Sequence, residues 1–547
     1  MLVNAQAVRS PGRVGYKWIV AMVVVIGVFM SILDQTIVNI AIPRLQTAFG
    51  ADIHSVQWVL TAYILTQGVI TPTAAYFSET FGIKRFYIFS LAAFTIGSAL
   101  CGLAWSLPVL IFFRVIQGAG GAALFPLSIT LLFRAFPPQE RGMAMGFFGI
   151  PALLAPALGP TLGGYIVTFA GWQLIFYINV PIGMIAIILS IILLQNSQPD
   201  RTTRFDFLGF LLAAVGLATL LYALSDASTD GWTSTIVLSC LLIGGLSLTA
   251  FIIYEIMLGN REGQPLLDLR LFTNGPFRVG MIANVFVIFS LFGGLFLLPI
   301  YLQNIRGLSA FQAGLILLPQ ALASMVTVII GGRLVDRLGV RAIMIPGLLI
   351  LLLATWQLTY ITVYSPYWWI QTMLILRGLA LGLTVQQLTV ASLSEIGPRQ
   401  LAQASSLSTV IRAVSSSLGI AILATLVQTQ SQVHYAHLAE QVTASSPLGQ
   451  LLPRLQALFV ANGTSITSAQ SAALQAINGL LLQQAFTLSL QDAFTLTLYV
   501  IALAIIATLF VRGTRRRTQI NVPSLSPVHQ PETDETESAR AEAVFAG

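Results

Sequence analysis

Asp34 is the residue in this chain best placed to carry a proton through an apolar environment. It lies in Leu33-Asp34-Gln35-Thr36, within a run of apolar residues long enough to form a buried helix, and no other carboxylate sits so deep in such a run. An ionised Asp near a bilayer centre costs about 2.5–3.5 kcal/mol on insertion scales, so it faces other helices rather than lipid. Desolvation penalises the charged form, which suits a carboxyl group that is loaded on one side of a barrier and emptied on the other. The same Asp could instead bind a substrate cation, pair structurally with an Arg, or cap a helix break. Arg114 opens Arg114-Val115-Ile116-Gln117-Gly118-Ala119-Gly120-Gly121. A buried guanidinium needs acceptors, and Asp34 or backbone carbonyls are the ones on offer. Its plainer reading is a cation joining two helices. Arg377 and Arg412 also fall inside apolar runs and are expected to be structural. Asn39, Tyr63, Gln67, Gln117, Gln320, Gln386 and Gln387, with Phe286, are candidates for a substrate cavity. Aromatic rings there could stack on a flat or cationic ligand, although for any one of them packing is the commoner role.

The elements that must hold these residues are membrane helices. Of 547 residues 56% are hydrophobic and only 9% charged, and the mean hydropathy is +0.84. Soluble domains carry roughly a quarter charged residues, so lipid must replace water over most of the surface. Apolar stretches near the 20-residue crossing length recur at about 18–42, 55–76, 86–106, 108–133, 143–168, 175–195, 207–225, 233–257, 278–302, 309–332, 341–363, 367–393, 404–427 and 493–511. The expectation is therefore an all-α integral membrane protein with fourteen spans and both termini in the cytoplasm. With that orientation, 21 of the 27 Lys and Arg residues lie inside, Arg44, Arg306 and Arg454 outside, and Arg114, Arg377 and Arg412 within spans. Such a bias fixes orientation by the positive-inside rule. It also accounts for the net charge of +7 without nucleic acid, since the basic residues form no stripe. Residues 428–490 read as a long outer loop with helical stretches, and the polar tail at 518–547 as a disordered cytoplasmic segment.

The chain repeats internally. Phe77-Ser78-Glu79-Thr80-Phe81-Gly82-Ile83-Lys84-Arg85 recurs as Leu334-Val335-Asp336-Arg337-Leu338-Gly339-Val340-Arg341, with acids and glycines 257 residues apart. Leu45-Gln46 recurs as Leu302-Gln303 at the same offset, and Arg114 finds Arg377 at 263. Parallel repeats of this kind are a transporter device. They divide the chain into a six-helix bundle at 15–195, an extra pair at 205–257 and a second six-helix bundle at 275–512.

These motifs resemble the major facilitator superfamily, and in particular its fourteen-span drug:proton antiporter branch of the EmrB/QacA type. The loop at 336–341 is similar to the superfamily's gating motif, which implies gating roles for Asp336, Arg337, Gly339 and Arg341. The counterpart with Glu79, Gly82, Lys84 and Arg85 departs from it at Ala75 and Glu79. The run from Asp34 to Pro43 resembles the branch's first-span motif, and Arg114 to Gly121 its fourth-span motif, where the Arg is linked to proton transfer. Gly146, Gly159, Pro160, Gly163 and Gly164 resemble the antiporter motif of exporters; physically they describe a kinked, closely packed helix. The resemblance implies a proton-coupled exporter of amphipathic, cationic or lipophilic small molecules in the bacterial inner membrane, working by alternating access, with a periplasmic adaptor as a further partner. Export of a lipid, siderophore or native metabolite, and a non-transporting sensor or scaffold, are the competing readings.

Enzyme chemistry has no foothold. There is no phosphate-binding loop, no metal-ligand spacing, no nucleophile elbow and no cofactor motif in the sequence. Cys101 and Cys240 lie in apolar runs and read as small buried residues.

Overall fold

The computed structural model describes residues 15–511, apart from 198, 200–203, 228–229, 262, 444 and 464. The tail at 518–547 lies outside the described residues. Among those residues the secondary structure is helical, with no strand. The first bundle comprises α1 (Tyr16–Phe49), α2 (Ile53–Ile70), α3 (Ala74–Phe81), α4 (Ile83–Gly102), α5 (Leu107–Gly121), α6 (Leu124–Ala135), α7 (Arg141–Phe169), α8 (Leu174–Tyr177) and α9 (Asn179–Leu193). The extra pair is α10 (Phe207–Asp226) and α11 (Thr235–Asn260). The second bundle comprises α12 (Gly275–Ile300), α13 (Ala310–Leu338), α14 (Val340–Leu358), α15 (Tyr367–Leu393), α16 (Leu401–Glu440), α17 (Pro447–Ala461) and α18 (Ile466–Phe510).

Helices cover all fourteen of the apolar stretches, though not all as single apolar rods. Twelve helices among the described residues are long and apolar enough to cross a membrane, and α7, bent by 40° between Pro156 and Leu158, makes thirteen. The remaining stretch is α2 with α3. It carries His54, Gln57 and Gln67 and is interrupted by a 3₁₀ turn at Thr71–Thr73 around Pro72, so its apolar face is diluted. Three prolines, Pro151, Pro156 and Pro160, lie inside α7; each removes a backbone donor, which accounts for the bend.

Most of the described residues in 428–490 are helical, the helical stretches extending beyond 466–486. α16 runs 40 residues and α18 runs 45, about 60 and 68 Å at 1.5 Å per residue, roughly twice what a bilayer core requires. Gln483 and Gln491 on α18 donate to the carbonyls of Ile305 and Ile361, where α12 and α14 end. The polar composition that suggested a loop belongs to the parts of these helices outside their most apolar stretches.

The end of the bundles that carries the loops at 136–140 and 394–400 is called the inner end below. Here the two halves meet closely. α7 packs against α13 along its whole length, through Gly142 on Gly332, Gly146 on Val328, and, toward the outer end, Gly164 beside Phe311. α6 meets α16 where Thr130 and Ser405 share a hydrogen bond of 2.8 Å. The extra pair lies beside α2 and α16: Trp58 stacks on Tyr222 at 5.6 Å, Leu221 fits against Gly68, and Trp232 donates its indole N–H to Thr425 at 2.8 Å.

Candidate functional site

Asp34 and Arg114 are both fully buried, and Arg114 Nη1 lies 2.6 Å from Asp34 Oδ2. Helices α1 and α5 bring them together across 80 residues of sequence. Gln117, one turn after Arg114, bridges the pair: its Oε1 accepts from Arg114 Nη1 at 2.8 Å and its Nε2 donates to Asp34 Oδ1 at 2.8 Å. Asn179, at the start of α9, donates to the same oxygen at 2.9 Å and to Ser98 at 3.1 Å. Ser98 in turn donates to the carbonyl of Phe176 at 2.8 Å. Arg114 Nε donates to the carbonyl of Val59 at 3.0 Å, and its guanidinium lies 4.0 Å from the Tyr63 ring centroid.

Arg114, Gln117 and Asn179 all donate to Asp34, an arrangement well suited to the acceptor oxygens of a carboxylate. The two charges are fully desolvated, so removing one partner leaves an uncompensated charge that costs about 3–5 kcal/mol. Protonating Asp34 would likewise strip Arg114 of its counter-charge. Small residues let the helices approach closely enough for this pairing: a Cβ on Gly97 would lie 2.7 Å from the backbone of Gln117, and one on Gly120 only 2.3 Å from Phe94 N.

A second constellation closes the inner end. Asp336 on α13 accepts from the backbone N–H groups of Gly142 at 2.8 Å and Met143 at 2.9 Å, at the start of α7. A carboxylate on unsatisfied helix N–H groups is favoured both by hydrogen bonding and by the helix dipole. Beside it Arg141 donates to the Ser394 carbonyl at the end of α15 at 3.0 Å. Arg341 ties α14 to the carbonyl of Val511, while Arg337 is exposed and Gly339, at φ +86°, makes the sharp turn between α13 and α14. The counterpart turn at Gly82, φ +85°, holds Ser197: its Oγ accepts from Ile83 N at 2.8 Å. Lys84 donates to the Ile191 carbonyl at 2.8 Å, Arg85 is exposed, and Glu79 lies near enough to Arg134 to interact electrostatically. Of the antiporter-motif residues, Gly146 faces Val328, Gly159 faces Thr36, Gly163 faces Ile37, and Gly164 and Pro160 lie where α7 meets α13. α7 is thus the helix on which α1 and α13 both close.

The cavity candidates separate into two groups. Tyr63, Gln67 and Gln117 gather around Asp34 and Arg114, with Gln67 donating to Tyr63 Oη at 2.8 Å. Gln386 and Gln387 are fully buried on α15, with Gln386 against Gly149 of α7 and Gln387 beside Gly331 of α13. Among the described residues no partner is found for either amide. Gln320 is buried with its backbone against Gly378, Phe286 is half-buried, and Asn39 is exposed. Arg412 is half-buried, 5.2 Å from the Phe125 ring across the two halves, whereas Arg377 is fully buried. Cys101 is buried, its Sγ 3.5 Å from Gln117 Oε1, and Cys240 is half-buried.

Three buried polar residues were given no site role from the sequence. Asn179 completes the shell of Asp34, Arg141 secures the inner end, and Glu255 is a second fully buried acid, near the end of α11. Asn179 was detectable as an isolated amide in an apolar run. Arg141 resembled any other basic loop residue, and Glu255 lay so near the end of its stretch that solvent exposure was the natural assumption.

The chain is similar over most of its length to known transporters. It is 36% identical over 426 residues to the uncharacterized MFS-type transporter YhcA of Bacillus subtilis, covering 78% of this chain and 79% of that one. It is 33% identical over 415 residues to the multidrug resistance protein B homolog of Mycobacterium tuberculosis, covering 75% and 76%. In fold it resembles the human organic anion transporter MFSD10, with TM-score 0.57, 14% identity and 90% and 100% coverage. It also resembles the proton:xylose symporter XylE, with TM-score 0.54, 15% identity and 91% and 96% coverage. The family model described as Major Facilitator Superfamily matches residues 24–420, well over half of the chain, and the chain belongs to that superfamily.

Proposed function

We propose that this protein is a proton-coupled exporter of amphipathic, lipophilic small molecules, an antiporter of the bacterial inner membrane with fourteen crossings and both termini in the cytoplasm. The observation that carries the reading is the sequestered Asp34–Arg114 pair with its donors Gln117 and Asn179. A single carboxylate for which a proton and a guanidinium compete is a means of coupling protonation to helix movement. Relatives named as multidrug resistance proteins support export of such compounds. Both oxygens of Asp34 are engaged here, so lipophilicity rather than positive charge is taken as the defining property of the cargo.

In this reading the inner gate is closed by Asp336 on the start of α7 and by Arg141 on Ser394. Opening it separates α7 from α13 and α15 and uncovers Gln386, which supports its expected place in the substrate path. A periplasmic adaptor would dock on the projecting helices α16, α17 and α18. The test is efflux of a fluorescent lipophilic dye from pump-deficient bacteria expressing Asp34→Asn. The substitution keeps the shape and removes the titratable group, so uncoupler-sensitive efflux should vanish while the protein remains in the membrane. Wild-type efflux with unchanged uncoupler sensitivity would exclude Asp34 as the proton carrier.

A further inference from the structure

Arg377 on α15 is a fully buried guanidinium with no carboxylate within ion-pair distance among the described residues. Nη1 donates to Thr355 Oγ1 at 2.6 Å, while Nε and Nη2 are buried without a hydrogen-bond partner. Among the described residues no aromatic ring lies under it, in contrast to Arg114, Arg141, Arg306 and Arg412. The guanidinium sits against α12 at Gly294, where a Cβ would lie 1.9 Å from Nη2. One turn earlier on the same face of α12 is Ser290, whose buried Oγ also lacks a partner. Thus α12 and α15 hold a positive charge and several hydrogen-bond donors with too few acceptors.

The internal repeat sharpens the contrast. Arg114 and Arg377 are counterparts at an offset of 263, and the first half supplies a carboxylate from Asp34. At the repeat offset of 257, the position of Asp34 becomes Leu291, three residues before Gly294 and therefore on the adjoining face. The second half keeps the cation and lacks the built-in anion. Water can accept the orphaned hydrogen bonds but leaves the charge uncompensated, which inside a membrane protein is costly.

We propose that Arg377, with Thr355 and Ser290, forms an anion site between α12, α14 and α15 for one compact monovalent negative charge. The charge comes either from a small inorganic anion or from the carboxylate of an amphipathic molecule. The site does not depend on proton coupling at Asp34, and its test does not measure transport.

Purified full-length protein in detergent is heated at constant ionic strength in sodium isethionate, a bulky hydrophilic sulfonate, with chloride or benzoate substituted stepwise. A saturable rise in Tm of a few degrees is expected, because a ligand that binds only the folded state stabilises it by mass action. A response to chloride alone assigns a resident inorganic anion; a response to benzoate at lower concentration assigns a carboxylate subsite. Arg377→Gln should abolish the rise. Should that variant fail to fold, Leu291→Asp replaces it: a carboxylate installed where the repeat has Asp34 should raise the Tm in isethionate and remove the anion dependence. Equal Tm in all three anions for the wild type overturns the proposal, as does an undiminished chloride or benzoate response in Leu291→Asp.

Discussion

Asp336 and Gly142 lie 194 residues apart in sequence and 2.8 Å apart in space, with the carboxylate of one on the amide of the other. The bond crosses from the second bundle to the first. Its second arm, to Met143 at 2.9 Å, makes the contact a cap on the start of α7 rather than a simple ion pair, so its strength depends on helix geometry as well as charge.

Asp336→Asn should weaken that cap without removing its volume. The lost charge–dipole interaction is worth about 0.3–2 kcal/mol, which shifts the balance between closed and open inner ends by roughly 2- to 30-fold. The measurement is the rate at which a cysteine placed at Ser408, buried on α16, reacts with a thiol reagent applied from the inner side. Reaction at the parental rate would remove Asp336 from the gate.

Gly332→Ala should be more severe. The added Cβ would meet the Gly142 carbonyl oxygen at 2.3 Å, and backbone does not yield as a flexible side chain does. We expect inserted protein with at least tenfold slower efflux. A control at Gly245, where no atom lies within 4 Å, should transport normally when changed to Ala.

Asn179→Ala removes one of the donors to Asp34 and leaves a buried carboxylate short of a hydrogen bond. Bonds to charged groups contribute about 1.5–3 kcal/mol, so the Tm in detergent should fall by several degrees and efflux should slow. Arg114→Lys should cost more, because an ammonium cannot reproduce the fork that reaches Asp34, Gln117 and the Val59 carbonyl together. Equal losses in the two variants would contradict this ordering.

Asp492→Asn offers a contrasting case. The Asp492–His434 pair joins α18 to α16 at 2.7 Å, but its side chains are 44% and 27% exposed. Pairs of this kind contribute 0 to about 1 kcal/mol, and thermal unfolding should shift by little more than experimental error.

The helical class and the pairing of Asp34 with Arg114 were legible in the sequence because burying charge in lipid leaves few solutions. An acid and an arginine deep in apolar runs have strong reason to find each other. The role of Asp336 was legible through its resemblance to a known loop, but its partner was not, since a backbone amide has no signature. How far the helices run through 428–490 was not legible, for the opposite reason. Once α16 and α18 leave the apolar layer their composition turns polar, and hydropathy no longer distinguishes a solvated helix from a loop. Gln386 and Gln387 were visible as polar residues in an apolar run, but it was not visible that α7 covers the first and α13 lies beside the second.

The length of α16 and α18 has a mechanical consequence. From Ile466 to Gln483, which contacts the end of the α12 segment, the chain rises roughly 25 Å beyond the bundle as a continuous helix. A rod fixed at one end turns angle into distance, so each degree of tilt at that pivot carries its tip by about 0.4 Å over this length. Rocking of the second bundle by 10° would sweep the tip through about 4 Å. The projection would thus act as a pointer, its tip magnifying any lean of the bundle that holds its base.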